Sequence, residues 1–120
     1  MARRKLQIKR AYEPPADGDG YRILVDAIWP RGVRKEDLEV DWWARDLAPS
    51  AELRRWFGHD PDRWDEFCRR YFEELRGAPE AVAAVREAVR QGSVTLVYGA
   101  RNEQHNQAAA LREFLRGRSG

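Results

Sequence analysis

The chain has 120 residues, a length that fits one domain and excludes most two-domain enzymes. Its 22 basic and 20 acidic residues leave a net charge of +2, so no strongly acidic or basic disordered tail spans much of it. A single cysteine excludes an internal disulfide, and no apolar run approaches the ~20 residues that a membrane helix needs. The basic start, Met1 to Leu6, is followed by no apolar segment of the kind a secretory signal carries. The expectation is a soluble, cytoplasmic, single-domain protein over residues 1–120, with its core within about 5–116 and a frayed tail at 117–120.

Lys5 to Arg10 alternates polar and apolar residues, which predicts a strand with Leu6 and Ile8 on one face. Glu13 to Gly20 is dense in Pro, Asp and Gly and reads as a surface hairpin-like loop, where Asp19 between two glycines would repel phosphate. Arg22 to Ile28 is a nearly continuous apolar run, as in a strand covered on both faces, and Trp29-Pro30-Arg31-Gly32 ends it. Arg34 to Leu38 allows one helical turn, and Val40 to Leu47 a further strand. Ser50 has the chemistry of an N-cap for a short helix that carries Leu53, Trp56 and Phe57 and stops at Gly58.

The next helix has Asp60 as its cap and Pro61 at its first position. Within it Trp64, Phe67, Cys68, Tyr71, Phe72 and Leu75 recur at helical spacing and form one apolar stripe, ended by Gly77. A following helix starts near Pro79, turns Val82, Val85 and Val89 inward and ends at Gly92. Ser93 to Tyr98 is β-branched and apolar, a buried strand. A turn from Gly99 to Asn102 then leads to a last helix that packs Ala108, Leu111 and Leu115 and holds His105 in its first turn.

Strands of this type among helices predict an α/β fold, a Rossmann-like layered sheet of three or four mainly parallel strands flanked by helices. Ligands in such sheets bind beyond the carboxyl ends of the strands, which singles out the loops Asp26 to Arg34 and Gly99 to Asn106. Asp26 and His105 are the candidate catalytic residues. A carboxylate ending an apolar strand needs a partner or a task, and imidazole is the side chain suited to proton exchange near neutral pH. The bland alternatives are that Asp26 caps a turn or pairs with an arginine, and that His105 and Asn106 cap the helix. Trp29, Arg31, Arg101 and Asn106 are the candidate ligand-binding residues. Arg31 is held on a stiff turn suited to anions, and Trp29 is either a stacking wall or core. Only Lys5, Lys9 and Lys35 are lysines, leaving 19 arginines, a bias that reflects either genome composition or anion recognition.

His59 beside the cap Asp60 reads as a local hydrogen-bonding residue, and Cys68 as a small buried hydrophobe rather than a nucleophile. No HxH or CxxC spacing occurs, so no metal site and no cofactor is expected. Nor is there a phosphate-binding loop, a GxGxxG, a GxSxG or an HExxH.

Four strings carry a resemblance: Asp26-Ala-Ile-Trp-Pro-Arg-Gly32, Asp41-Trp-Trp-Ala-Arg-Asp-Leu-Ala-Pro-Ser50, Trp56-Phe-Gly-His-Asp60, and Thr95-Leu-Val-Tyr98 with Asn102-Glu-Gln-His-Asn106. Over about residues 6 to 116 the chain resembles the YeaO-like family, small bacterial proteins classed as a domain of unknown function. The resemblance implies a small α/β domain related to longer Rossmann-like three-layer proteins. Family members usually have an arginine directly after the first Asp, where this chain has Ala27. The longer relatives carry Cys-His-Arg after the last strand, where this chain has Gln104-His105-Asn106, so a cysteine nucleophile is absent there. Asp26, Arg31, Arg101 and His105 remain at matched positions.

Together these features point to a protein that binds or acts on a small anionic or nucleotide-like ligand, at the loops after 22–28 and 93–98. Arg31 and Arg101 would hold the anion, Asp26 and His105 would supply acid–base or orienting groups, and Trp29 or Trp42 a wall. The alternatives are a nucleic-acid-binding module, from arginines and aromatics together, and a protein-interaction or homodimer module, from tryptophans on an edge strand.

Overall fold

All four strands run the same way. In the computed structural model, which describes residues 5–117, β1 (Leu6–Arg10), β2 (Tyr21–Leu24), β3 (Trp42–Trp43) and β4 (Val94–Tyr98) form one parallel sheet in the order β1-β4-β2-β3. The predicted frayed tail lies outside the described residues from 118 onward. Among the described residues five α-helices accompany the sheet: α1 (Lys35–Leu38), α2 (Ala51–Phe57), α3 (Trp64–Arg76), α4 (Pro79–Gln91) and α5 (Gln107–Arg116). The α/β class and the parallel sheet are as the sequence predicts.

The pleat divides the core in two. Ile23, Val25, Val94, Leu96 and Tyr98 face one way and pack under Phe57, Phe67, Tyr71, Leu75, Val85 and Leu111 of the long helices. Leu24 and Val97 face the other way, against Ala11, Leu38, Trp29 and Trp43. The layers are therefore unequal: α2 to α5 cover one face, whereas α1 and the loop after β2 cover the other. The sequence periodicities locate the thick side well. Ser50 accepts from the Leu53 N–H at 3.1 Å as the cap of α2, and Gly58 closes that helix in the left-handed conformation. The turn Pro61–Arg63 after Asp60 is 3-10, so α3 proper begins at Trp64.

Four local expectations need correction. First, β2 ends at Leu24 instead of running to Ile28: Val25 N–H still donates to Val97 O at 3.0 Å, but Asp26 turns away to meet the backbone of Gly99. Second, β3 is two residues long and pairs only with Ile23 and Leu24: the Arg22 N–H before them donates to the Asp41 side chain, and a 3-10 turn starts at Arg45. Third, α5 starts at Gln107 with Asn106 as its cap, so His105 precedes the helix instead of sitting in its first turn.

Fourth, Asp19 is no surface residue. It is buried, accepting from Lys9 Nζ at 2.9 Å, Arg22 Nη1 at 2.6 Å and Ala16 N–H at 3.0 Å. Burial pushes its carboxyl upward, but these donors outweigh that and hold it below the ordinary range. The adjacent Gly20 is what permits this close approach. Its φ of 68° and ψ of −138° are open to glycine alone, and a Cβ there would meet Ser93 O and lie 2.7 Å from Ser93 C. Gly20→Ala is expected to destabilise the fold by about 2–3 kcal/mol in urea denaturation. A change under ~0.5 kcal/mol, the size of a neutral surface substitution, would show that the starts of β2 and β4 part freely.

Candidate functional site

The chain leaves β2 toward β3, and leaves β4 toward α5, which packs on β1 and β4. These two exits diverge from neighbouring strands, and a crevice opens between them. There the structure has a cavity of about 390 Å³, within the size range of small-molecule sites. A groove of about 800 Å³ lies at the opposite, amino ends of β2 and β4, with Glu87 as its only charged side chain. The smaller cavity is the candidate, because polar groups converge on it.

Asp26, Trp29, Arg31, His105 and Asn106 all line this cavity. Of the predicted set only Arg101 does not; it is exposed on the turn after β4. Trp42 lines the opposite groove and is no wall of this site. Three further residues with chemistry to offer also line it: Tyr12 after β1, Arg54 on α2, and His59 just beyond α2. The strand-end rule considers only the β2 and β4 loops, so it overlooks a wall supplied by α2. One signal was available: Arg54 lies beside Leu53 and three residues before Phe57, on the inward side of that helix.

Asp26 is the chemical centre. Its Oδ2 accepts the Gly99 N–H at 2.8 Å and its Oδ1 accepts from Gln107 Nε2. Burial raises its pKa to about 6, against the opposing pull of those two donors and of the Arg54 charge. Gly99 has no room for a side chain, since a Cβ would lie 2.9 Å from Asp26 Oδ2. The backbone of the Asp26 loop is fixed by indoles: Trp43 Nε1 donates to Asp26 O at 2.7 Å, and Trp29 Nε1 to Val33 O at 2.7 Å. The two rings meet edge to face at 5.3 Å, and Arg45 stacks over Trp43 at 3.8 Å. Trp29 is thus both brace and wall.

The β4 loop is held by two asparagines. Asn102 Oδ1 accepts from Gln104 N–H at 2.9 Å and His105 N–H at 2.8 Å, which leaves its Nδ2 to face His105 Nδ1 at 3.3 Å. Nδ1 is then an acceptor, which selects the tautomer with the proton on Nε2. The imidazole also packs edge to face on Trp64 at 5.1 Å. Asn106 is buried, with Nδ2 donating to Asn102 O at 2.9 Å and Oδ1 accepting the Ala109 N–H at 2.8 Å. Both ends of its amide are committed to capping. Arg54 is the opposite case: its Nε is buried and has no hydrogen-bond partner. Cys68 lies apart on α3, half-buried, with its thiol pushed up to about 11 by burial and then by Asp65 and Glu113. Among the described residues no three His, Cys, Asp or Glu are grouped to hold a metal ion. No helix among them is long and apolar enough to cross a membrane.

Comparison with known proteins agrees with the sequence strings. The profile of a family described as "Inactive DUF488-N3 subclade" matches residues 5–119. An uncharacterised protein of Mycobacterium tuberculosis is 44% identical over 114 residues, 95% of this chain and 96% of its own length. The uncharacterised protein YeaO of Escherichia coli is 38% identical over 111 residues, 92% of this chain and 96% of its own length. No solved structure matches significantly. The chain therefore belongs to the YeaO-like DUF488 family, within the subclade described as inactive DUF488-N3.

Proposed function

We propose that this protein binds a small anionic or nucleotide-like molecule in the cavity beyond the carboxyl ends of β2 and β4. The observation that carries this reading is the Arg54 Nε, buried at the cavity without a partner. A buried guanidinium nitrogen calls for an acceptor, and Asp26, already holding two donors, is the only acid lining the cavity. Arg31 on the rim and Arg54 inside hold the anion, Trp29 walls it, and Asp26 and His105 orient it or exchange a proton with it. Asn106 contributes by fixing the loop. The family's description as inactive, and Gln104 where longer relatives carry cysteine, favour binding over turnover.

Small ligands are also favoured over nucleic acid by how the surface arginines are used. Arg34, Arg63, Arg69, Arg70 and Arg90 each pair with a neighbouring acid on their own element or turn, so they form no continuous cationic track. The test is a thermal-shift panel of nucleotides, sugar phosphates, small organic acids, divalent metals and short oligonucleotides. A ligand at a hundred times its Kd stabilises by about 2.7 kcal/mol, on the order of 10 °C for a domain of this size. Arg31 is exposed, so Arg31→Ala should leave the free protein's Tm within about 2 °C while abolishing the ligand's shift. A blank panel, or an Arg31→Ala protein that unfolds, defeats the reading.

A further inference from the structure

The cavity sets one carboxyl beside two arginines and two imidazoles, and its remaining lining is largely apolar. Arg54 reaches it from α2, His59 from the turn after α2, Arg31 from the β2 loop and His105 from the segment before α5. Phe57, Phe67, Pro49, Pro30 and Ile28 supply apolar walls, with Ile28 67% exposed at the mouth. Building on the anion-binding reading above, we infer that the ligand is a compact monocarboxylate with an aromatic or apolar body, taken up with a proton that it shares with Asp26.

The charges decide the class. A phosphate dianion beside an ionised Asp26 would set three negative charges in a half-closed space against two guanidiniums, Arg54 with its Nε buried and Arg31 exposed at the rim. A monocarboxylate that shares one proton with Asp26 leaves a single negative charge facing Arg54. Each Asp26 oxygen already accepts one donor, from Gly99 and from Gln107, and a carboxyl oxygen has a second lone-pair direction for the shared proton. The proton comes from solvent on binding, and burial already holds Asp26 near the pH where it is available, at about 6. The groups facing this carboxyl are Gly99 and Gln107, Arg54 of α2, and Tyr71 of α3, whose hydroxyl donates to Leu47 O and whose ionisation burial opposes. The apolar walls and the volume of about 390 Å³ suit a body of one or two rings.

Calorimetric titration with benzoate, phenyl phosphate and adenosine monophosphate between pH 5 and 8 tests this. Benzoate should bind best below pH 6 and weaken about tenfold per pH unit above pH 7, as the protonated fraction of Asp26 falls. Asp26→Asn keeps a neutral donor at the site at every pH, so its benzoate affinity should be flat and higher than wild type at pH 8. Arg54→Gln, checked for folding by circular dichroism, should lose benzoate at least tenfold. Phenyl phosphate or the nucleotide binding tighter than benzoate would overturn the carboxylate class and leave the anion site standing. A pH slope that survives in Asp26→Asn would move the proton to His59 or His105 and overturn the sharing. Failure of all three probes at every pH would overturn the anion site itself.

Discussion

Arg22→Met is expected to cost the fold about 3–5 kcal/mol, the range for breaking a buried ion pair from one side. Arg22 is 4% exposed, and its guanidinium has no solvent to fall back on. Nη1 donates to Asp19, Nη2 to Leu38 O at 2.7 Å, and Nε to Leu38 O and Glu39 O, both at 3.2 Å. Those carbonyls end α1, where Glu39 sits in the left-handed region with a φ of 51°. One side chain thus joins the β1–β2 loop to the thin layer of the sheet. Methionine matches the apolar stem but leaves Asp19 with Lys9 and the Ala16 N–H, and strands two carbonyls. Chemical denaturation at pH 7 measures the loss. The double variant Asp19→Asn, Arg22→Met should lose clearly less than the two single losses added together, because the pair fails as a unit. Additive losses would show that Arg22 acts only by packing. The pair also sets an acid limit: the Asp19 carboxyl is held below its ordinary value, so its contribution is present above pH ~4 and fades as pH falls below that.

Asp19 also shows why the sequence can be read for some elements and not others. α3, α4 and β4 are visible because each is specified by neighbours in sequence: an apolar stripe, a proline start, a β-branched run. Asp19 looks like a loop tip by the same local logic, since Gly18 and Gly20 flank it. What buries it comes from β1 and β2, Lys9 and Arg22, brought beside it by the parallel sheet. The start of β3 is likewise set from another strand, where the Arg22 N–H of β2 donates to the Asp41 side chain instead of continuing the ladder. The candidate site divides in the same way. Asp26, Arg31 and His105 lie on loops that the strand-end rule reaches. Arg54 and His59 come from the far side, where α2 lies across the crevice; the helical spacing turns Arg54 inward, but nothing local shows which crevice that side faces. His59 is also displaced from ordinary helix geometry, with a φ of 58° after Gly58.

Asp26→Asn is expected to make the free protein more stable at pH 8, by up to about 3 kcal/mol. Burial raises the carboxyl from 3.8 to about 6 in the folded state, so the folded chain holds this proton more tightly than the unfolded chain does. The stability this represents is fully present below pH ~4. It is lost as pH rises through 6, and above that the ionised carboxylate opposes folding. The wild type should therefore gain stability as pH is lowered from 7 toward 4, until the Asp19 pair begins to fail beneath that window. Asparagine is nearly isosteric: its oxygen can still accept from Gly99, and the Gln107 amide can turn its oxygen toward the new amide nitrogen. In denaturation series from pH 4 to 8 the variant should lack the slope between 4 and 6 that the wild type shows. If Asp26→Asn is instead less stable at pH 8, the two hydrogen bonds to the carboxylate outweigh its desolvation, and Asp26 is a structural anchor. A gain would mean that the fold tolerates an unfavourable charge at the mouth of β2, where an apolar or amide side chain would serve the core better. Such a destabilising acid in a cleft, next to an unpartnered guanidinium, is the arrangement expected of a site shaped by what it binds.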